Sequence, residues 1–308
     1  MLHSICDVPG IRLGHSHDES AKTGCTVILP DQPATAGVDV RGSAPGSREI
    51  EVLKPVRLVQ KLHGILLTGG SAFGLNAAGG VQKYLEERGI GFDVGVTKVP
   101  IVPTAVIFDL SVGSPWVRPT PEMAYQTCLD ASATEQGEGR IGAGCGATIG
   151  KIRGQAFSMF GGIGMASWRQ GDLVVGALVV LNCLGDVVDP KSGKLIAGAR
   201  SDEGGFLDTV TYVKTNPEAR FSSWENTVLA VVASNASFAR DAVTKIAQMA
   251  QDGIAQAIRP SHTPFDGDMV FAISTGEVKA EVLTVGSVAA ELVAEAIVRA
   301  AKAGNGLQ

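Results

Sequence analysis

Two kinds of hydrophobic pattern alternate along the chain. The first is a short, almost unbroken apolar run closed by polar residues. Residues 172–182, Asp-Leu-Val-Val-Gly-Ala-Leu-Val-Val-Leu-Asn, are the strongest example. Thr227-Val228-Leu229-Ala230-Val231-Val232-Ala233, closed by Ser234-Asn235, is the second. Runs this short with no polar alternation predict strands buried on both faces. Shorter strand-like runs lie at 8–15, 24–30, 63–68 and 269–273, with a strand and then a loop over 38–48, and a run broken by prolines at 100–110. The second pattern has a helical period. Ala239, Ala242, Val243, Ile246, Met249, Ala250 and Ile254 fall on one face of a helix over 238–258, stopped by Pro260. Further helices are predicted near 121–134, opened by Pro121-Glu122, and near 287–302. Another ends at Gly89, which serves as its C-cap. Strands and helices mix without a strict βαβ repeat, which predicts a single α/β domain of stacked sheets covered by helices. Residues 189–226 are polar and weakly periodic, and read as a mobile or processed loop.

Composition narrows the function classes. Apolar residues make up 45% and charged residues 19% of 308, so the chain can bury a large core without staples. A net charge of -5 with no run of like charges leaves no footprint for nucleic acid or an anionic membrane. No apolar run reaches transmembrane length, and the first residues lack the basic and apolar regions of a signal peptide. The five cysteines are scattered and never spaced as CxxC. Free thiols in a reducing cytoplasm are the expected state.

Several positions carry candidate chemistry. Thr227 opens a rigid strand directly after Asn226. Were the bond between them cut, Thr227 would hold a hydroxyl nucleophile and an α-amine base on one residue; otherwise the pair is a polar turn entering a core strand. Asn182 places a polar side chain at the end of the strongest strand, where sites often lie. Lys151 closes the Gly-rich stretch 142–151 and is either a group able to meet an oxyanion or a solvated lysine. Asp266 and Asp268 are two apart, so in extended chain both carboxylates face one way. Like charges that close raise one pKa, unless Asp-Gly is only a turn. Gly69-Gly70-Ser71 begins a Gly-rich turn between a strand and a helix. It either gathers N–H groups around an anion or packs the helix closely on the sheet. His15 and His17 share a strand face without acidic or Cys partners, so a surface pair is favoured over a metal site. Arg41 and Arg48 are either carboxylate ligands or solvated arginines. Cys145 in its Gly-rich turn is a second, weaker nucleophile candidate.

Taken together and in order, Asp7-Val8-Pro9-Gly10-Ile11-Arg12-Leu13-Gly14-His15, Leu67-Thr68-Gly69-Gly70-Ser71-Ala72-Phe73-Gly74-Leu75, Gly146-Ala147-Thr148-Ile149-Gly150-Lys151, Asn226-Thr227 and His262-Thr263-Pro264-Phe265-Asp266-Gly267-Asp268 resemble the DmpA/NylC-type peptidases. These are β-aminopeptidases, L-aminopeptidase/D-esterases and nylon-oligomer hydrolases. The resemblance runs through nearly the whole chain. It implies a four-layer αββα sandwich of the N-terminal-nucleophile style, DmpA/ornithine acetyltransferase-like. It also implies a precursor that cuts itself between Asn226 and Thr227 into fragments 1–226 and 227–308. Thr227 would be the nucleophile, oriented by Asp266 and Asp268. Lys151 and Asn182 would line the site, and Gly70, Ser71 and Phe108 would face substrate. Phe108 stands where some members carry an oxyanion Tyr, so Asn182, Lys151 or a backbone N–H must serve instead. A small peptide or amide substrate, a homo-oligomer (a tetramer in many members) and no metal or organic cofactor are implied. An acyltransferase on the related fold, a non-catalytic small-molecule binder and Cys145 catalysis are the competing readings.

Overall fold

The computed structural model describes residues 3–218 and 226–307. The strands of its two large sheets are, in chain order, β1 (Ile11–Asp18), β2 (Thr23–Pro30), β3 (Ala34–Val40), β4 (Ser47–Arg48), β5 (Lys61–Leu62), β6 (Ile65–Thr68), β7 (Thr104–Val106), β8 (Gly162–Gln170), β9 (Leu173–Asn182), β10 (Thr227–Ala236) and β11 (Met269–Val278). One sheet has the order β1-β2-β6-β7-β4, the other β8-β9-β10-β11-β3-β5. Most neighbours are antiparallel, but β10 and β11 run parallel, as do β6 and β7. Five helices accompany them among the described residues: α1 (Ala78–Glu86), α2 (Pro121–Leu129), α3 (Thr209–Thr215), α4 (Arg240–Ala257) and α5 (Val282–Asn305).

The uninterrupted apolar runs now have a physical cause. Along β10, Val228, Ala230 and Val232 face a core shared with α4 and α5, while Leu229, Val231 and Ala233 face a core shared with the other sheet. β9 divides the same way, with Val175, Ala177 and Val179 on the helix side and Val174, Leu178 and Val180 on the sheet side. The side-chain period of two thus sends alternate residues into two different cores, and no polar face remains. On the far side of the first sheet, Val27, Leu29 and Leu66 pack against Ala78, Val81 and Leu85 of α1 and Ala124 and Cys128 of α2. The layers are therefore helix, sheet, sheet, helix, as the αββα expectation required.

Some elements depart from the sequence reading. β8 was not foreseen, because glycines replace the large apolar residues that mark a strand. At Gly164 a Cβ would lie 2.1 Å from the carbonyl oxygen of Ala296 in α5, so the close helix, and not a strand propensity, selects the residue. The run 100–110 yields only the short β7, after Pro100 and Pro103. The last helix starts earlier than periodicity suggested, at Val282, and ends at Gly306, which is left-handed at φ 63°. The polar segment 189–226 contains α3 and a short strand, Leu195–Ala197; its residues 219–225, with Trp224 and Glu225 before the nucleophile candidate, lie outside the described residues. Among the described residues no helix is long and apolar enough to cross a membrane.

Candidate active site

Three strand ends converge. Thr227 is the first residue of β10 and Asn182 the last of β9, and the two are cross-strand partners. Asp268 immediately precedes β11, which runs alongside β10 with Leu229 beside Met269. The sheet that buries the apolar runs therefore holds these polar residues in one place, at the ends of three neighbouring interior strands. Thr227, Asn226, Asn182, Lys151, Asp266 and Asp268 are all buried.

At the centre stands the Asn226–Thr227 bond. The Thr227 hydroxyl donates to the Asn226 carbonyl oxygen at 2.5 Å. The backbone N–H of Gly267 donates to the same oxygen at 2.9 Å. The carbonyl is thus polarised by two donors while in contact with a hydroxyl. Gly267 lies between the two aspartates and was missed by the sequence reading, since a backbone donor leaves no trace in residue type.

The two aspartates take different partners. Asp268 Oδ1 accepts from the Val228 N–H at 2.8 Å, one residue past Thr227. Its Oδ2 accepts from the His262 N–H at 3.2 Å and faces His262 Nδ1 at 2.8 Å. Asp266 Oδ2 accepts from the Thr263 N–H at 2.7 Å and its hydroxyl at 2.5 Å. Burial, and next the charge of Asp268, push the Asp266 carboxyl up to about 6; the Thr263 bonds and Lys151 oppose this.

This shift has a stability consequence. In the unfolded chain an Asp titrates near about 3.9. The stabilisation linked to the raised pKa is complete below that value and is lost as pH rises through about 6. Asn at position 266 can accept the Thr263 bonds and has no charge to bury. Asp266→Asn should therefore melt above the wild type at about pH 8, and the gap should close by about pH 4, as thermal denaturation at both pH values would show.

Lys151 is 1% exposed, so its charge must be held by protein groups. Its ammonium donates to the Asn182 side-chain oxygen at 2.9 Å and to the Asn182 carbonyl at 3.2 Å. Asn182 Oδ1 also accepts from the Thr148 N–H at 3.0 Å, which fixes the amide's orientation. Asn182 Nδ2 then points at the Phe108 carbonyl, 3.4 Å away. Phe108 thus joins the cluster through its backbone. Its neighbour Asp109 accepts from the Gly70 N–H at 2.7 Å and from the Thr23 hydroxyl at 2.7 Å. A Cβ on Gly69 would lie 1.9 Å from Asp109 Oδ2, so this buried carboxylate explains the first glycine of the turn. Gly70 and Ser71 are both left-handed, at φ 81° and 53°. They connect to Thr227 through Asp109, Phe108 and Asn182 in turn.

The remaining candidates have local partners. His15 Nδ1 meets the Thr26 hydroxyl at 2.9 Å, and burial pushes its pKa down to about 4; the side chain is half-buried. His17 faces Glu19 at 3.9 Å. Among the described residues no group of three or more His, Cys, Asp or Glu could hold a metal. Arg41 pairs with Asp39, and Arg48 donates to Gln82 at 3.0 Å. Burial pushes the Cys145 thiol up to about 11, which disfavours the thiolate a nucleophile needs.

Comparison with known proteins gives a consistent result. The profile of peptidase family S58 matches residues 3–307. An uncharacterized aminopeptidase of Mycobacterium tuberculosis is 41% identical over 295 residues, covering 90% of this chain and 83% of the relative. A 6-aminohexanoate-oligomer endohydrolase of Kocuria sp. is 29% identical over 315 residues, covering 96% and 85%. Among solved structures, the L-aminopeptidase D-Ala-esterase/amidase of Ochrobactrum anthropi, described as a variant of the Ntn hydrolase fold, superposes with a TM-score of 0.72 at 18% identity over 96% of this chain and 85% of that one. A Burkholderia sp. beta-aminopeptidase gives 0.68 at 23% identity over 97% and 86%. At these identities the two structures speak for the fold.

Proposed function

The chain belongs to peptidase family S58 and is a peptide-bond hydrolase, and we propose that it works as a self-processing amidase whose nucleophile is Thr227. The observation that carries this reading is the contact between the Thr227 hydroxyl and the carbonyl of its own preceding residue, in a buried site with an ammonium and two carboxylates.

In the precursor, Thr227 Oγ attacks the Asn226 carbonyl carbon. The Gly267 N–H stabilises the developing oxyanion. The Asn226–Thr227 C–N bond breaks, the nitrogen takes the hydroxyl proton, and an ester to Thr227 Oγ remains. Water hydrolyses that ester, leaving a carboxylate on Asn226 and a free α-amine on Thr227. With a reference pKa of about 7.7–8.0, that amine accepts a proton near neutral pH. In turnover, Thr227 Oγ attacks the substrate amide while the amine takes its proton, directly or through water. The leaving amine departs protonated, and water releases the acyl group. Asp268 holds the Val228 amide, and with it the start of β10. The carboxylate pair stabilises the ammonium form of Thr227.

Asn182 and Lys151 are assigned to the substrate oxyanion, in place of the Tyr absent at Phe108. Lys151→Met should lower kcat by about 10²–10³, the cost of one oxyanion donor in comparable sites. Steady-state kinetics would check it; a variant within twofold of wild type would remove Lys151 from this role. The substrate is a short peptide, a β-peptide or an ω-amino acid oligomer, in line with relatives named aminopeptidase and 6-aminohexanoate-oligomer endohydrolase and a structural neighbour named beta-aminopeptidase. A screen over amides of alanine, β-alanine and 6-aminohexanoate tests this reading: hydrolysis of at least one is expected, and hydrolysis of none would contradict it. We place the enzyme in the cytoplasm as a homo-oligomer.

A further inference from the structure

We propose that His262 is a positioning residue for Thr227, acting through Asp268; this rests on the reading of Thr227 as nucleophile. Among the described residues both hydrogen-bonding contacts of His262 go to one carboxylate oxygen. Its backbone N–H reaches Asp268 Oδ2 at 3.2 Å and its ring Nδ1 reaches the same atom at 2.8 Å. An ionised carboxylate only accepts, so Nδ1 carries the proton and Nε2 is the other ring position. Nε2 is buried and meets no hydrogen-bond partner among the described residues, so the imidazole tethers nothing else. The second oxygen of Asp268 holds the Val228 N–H at 2.8 Å. Imidazole, carboxylate and amide thus form a line that ends on the residue next to the nucleophile.

The backbone gives an independent reason. His262 sits at φ 54°, a left-handed conformation that is uncommon for residues other than Gly, though Asn, Asp and His adopt it more often than the rest. Glycine would occupy this position with less strain. A left-handed loop residue with its ring clamped on a buried acid fits preorganisation of that acid. By fixing the Asp268 rotamer, His262 fixes the Val228 amide and so the angle at which Thr227 Oγ meets a carbonyl carbon. Such alignment matters steeply, because displacements of about 1 Å cost about a hundredfold in rate.

Two substitutions separate positioning from structure. His262→Gly removes the ring and relaxes the backbone. His262→Asn keeps an N–H donor where Nδ1 stood and tolerates the same φ. The readouts are the rate at which fragment 227–308 appears after synthesis, kcat and KM on alanine p-nitroanilide, and the melting temperature. The expected result is about tenfold to a hundredfold slower processing and lower kcat in His262→Gly, with KM little changed, and recovery of most of the loss in His262→Asn. A Gly variant that is cut and turns over at wild-type rates overturns the proposal. So does an Asn variant no better than Gly, or a loss that only follows the melting temperature. If wild-type chain is cut between Asn226 and Thr227 and the Gly variant keeps pace, this inference alone falls. If wild-type chain stays whole and Thr227→Ala hydrolyses amides normally, the nucleophile reading falls with it.

Discussion

Thr227→Ala is expected to yield one uncut polypeptide of 31.8 kDa and to abolish amide hydrolysis. The loss in kcat should be on the order of 10⁶, the scale on which acyl-transfer enzymes lose turnover with their nucleophile. Misfolding does not account for such a result. The Asn226 carbonyl keeps the Gly267 N–H as a donor when the hydroxyl is gone, and the neighbouring β10 side chains stay in their two cores. Thr227→Ser retains Oγ and should still be cut and active. Electrophoresis under denaturing conditions separates the cases at once. An Ala variant that is cut, or that hydrolyses amides at more than trace rates, would place the chemistry elsewhere.

The second large effect is expected at Asp268. Replacing it by Asn keeps size and shape but not function. The carboxylate accepts on both sides, from Val228 at one oxygen and from the backbone N–H and ring of His262 at the other. An amide has one accepting end. With its oxygen toward Val228, its NH₂ meets the His262 N–H; flipped, it meets the Val228 N–H. Either way a donor faces a donor in a buried site, at a cost of about 1–3 kcal/mol for the unsatisfied group. Asp268→Asn should therefore melt lower than wild type and process at least about a hundredfold more slowly through lost alignment. The contrast with Asp266→Asn is informative, since there both Thr263 donors meet one oxygen, which the amide oxygen can replace while a buried charge is relieved. Thermal denaturation and the time course of fragment formation, measured on both variants, check the opposite signs in stability.

Much of the scaffold was legible in the chain. The unbroken apolar runs at 172–182 and 227–233 read as strands buried on both faces, and they are unbroken because alternate residues feed two separate cores. The amphipathic face of α4 was read for a similar reason, since one side of it meets the sheet. β8 escaped because α5 lies so close that Gly164 must replace a larger residue. The candidate site divides in the same way. Thr227, Asn182, Lys151, Asp266 and Asp268 could be named from residue type and family resemblance, and the fold gathers them around the ends of neighbouring interior strands. Who bonds to whom was not readable. Asp266 and Asp268, two apart, take separate partners because the chain turns toward Thr263 at one and toward β10 at the other. Gly267 acts through its backbone, and His262 acquires its contact only when its left-handed loop folds over Asp268.

The central claim is that the chain severs its own Asn226–Thr227 bond and uses the freed Thr227 as catalyst. Mass spectrometry of freshly purified wild-type protein, with amino-terminal sequencing of its smaller component, tests this most directly. The account predicts two polypeptides, 1–226 and 227–308, the second beginning at Thr227 with a free amine. A catalytically active chain that remains whole, or one whose smaller fragment begins at another residue, would contradict it.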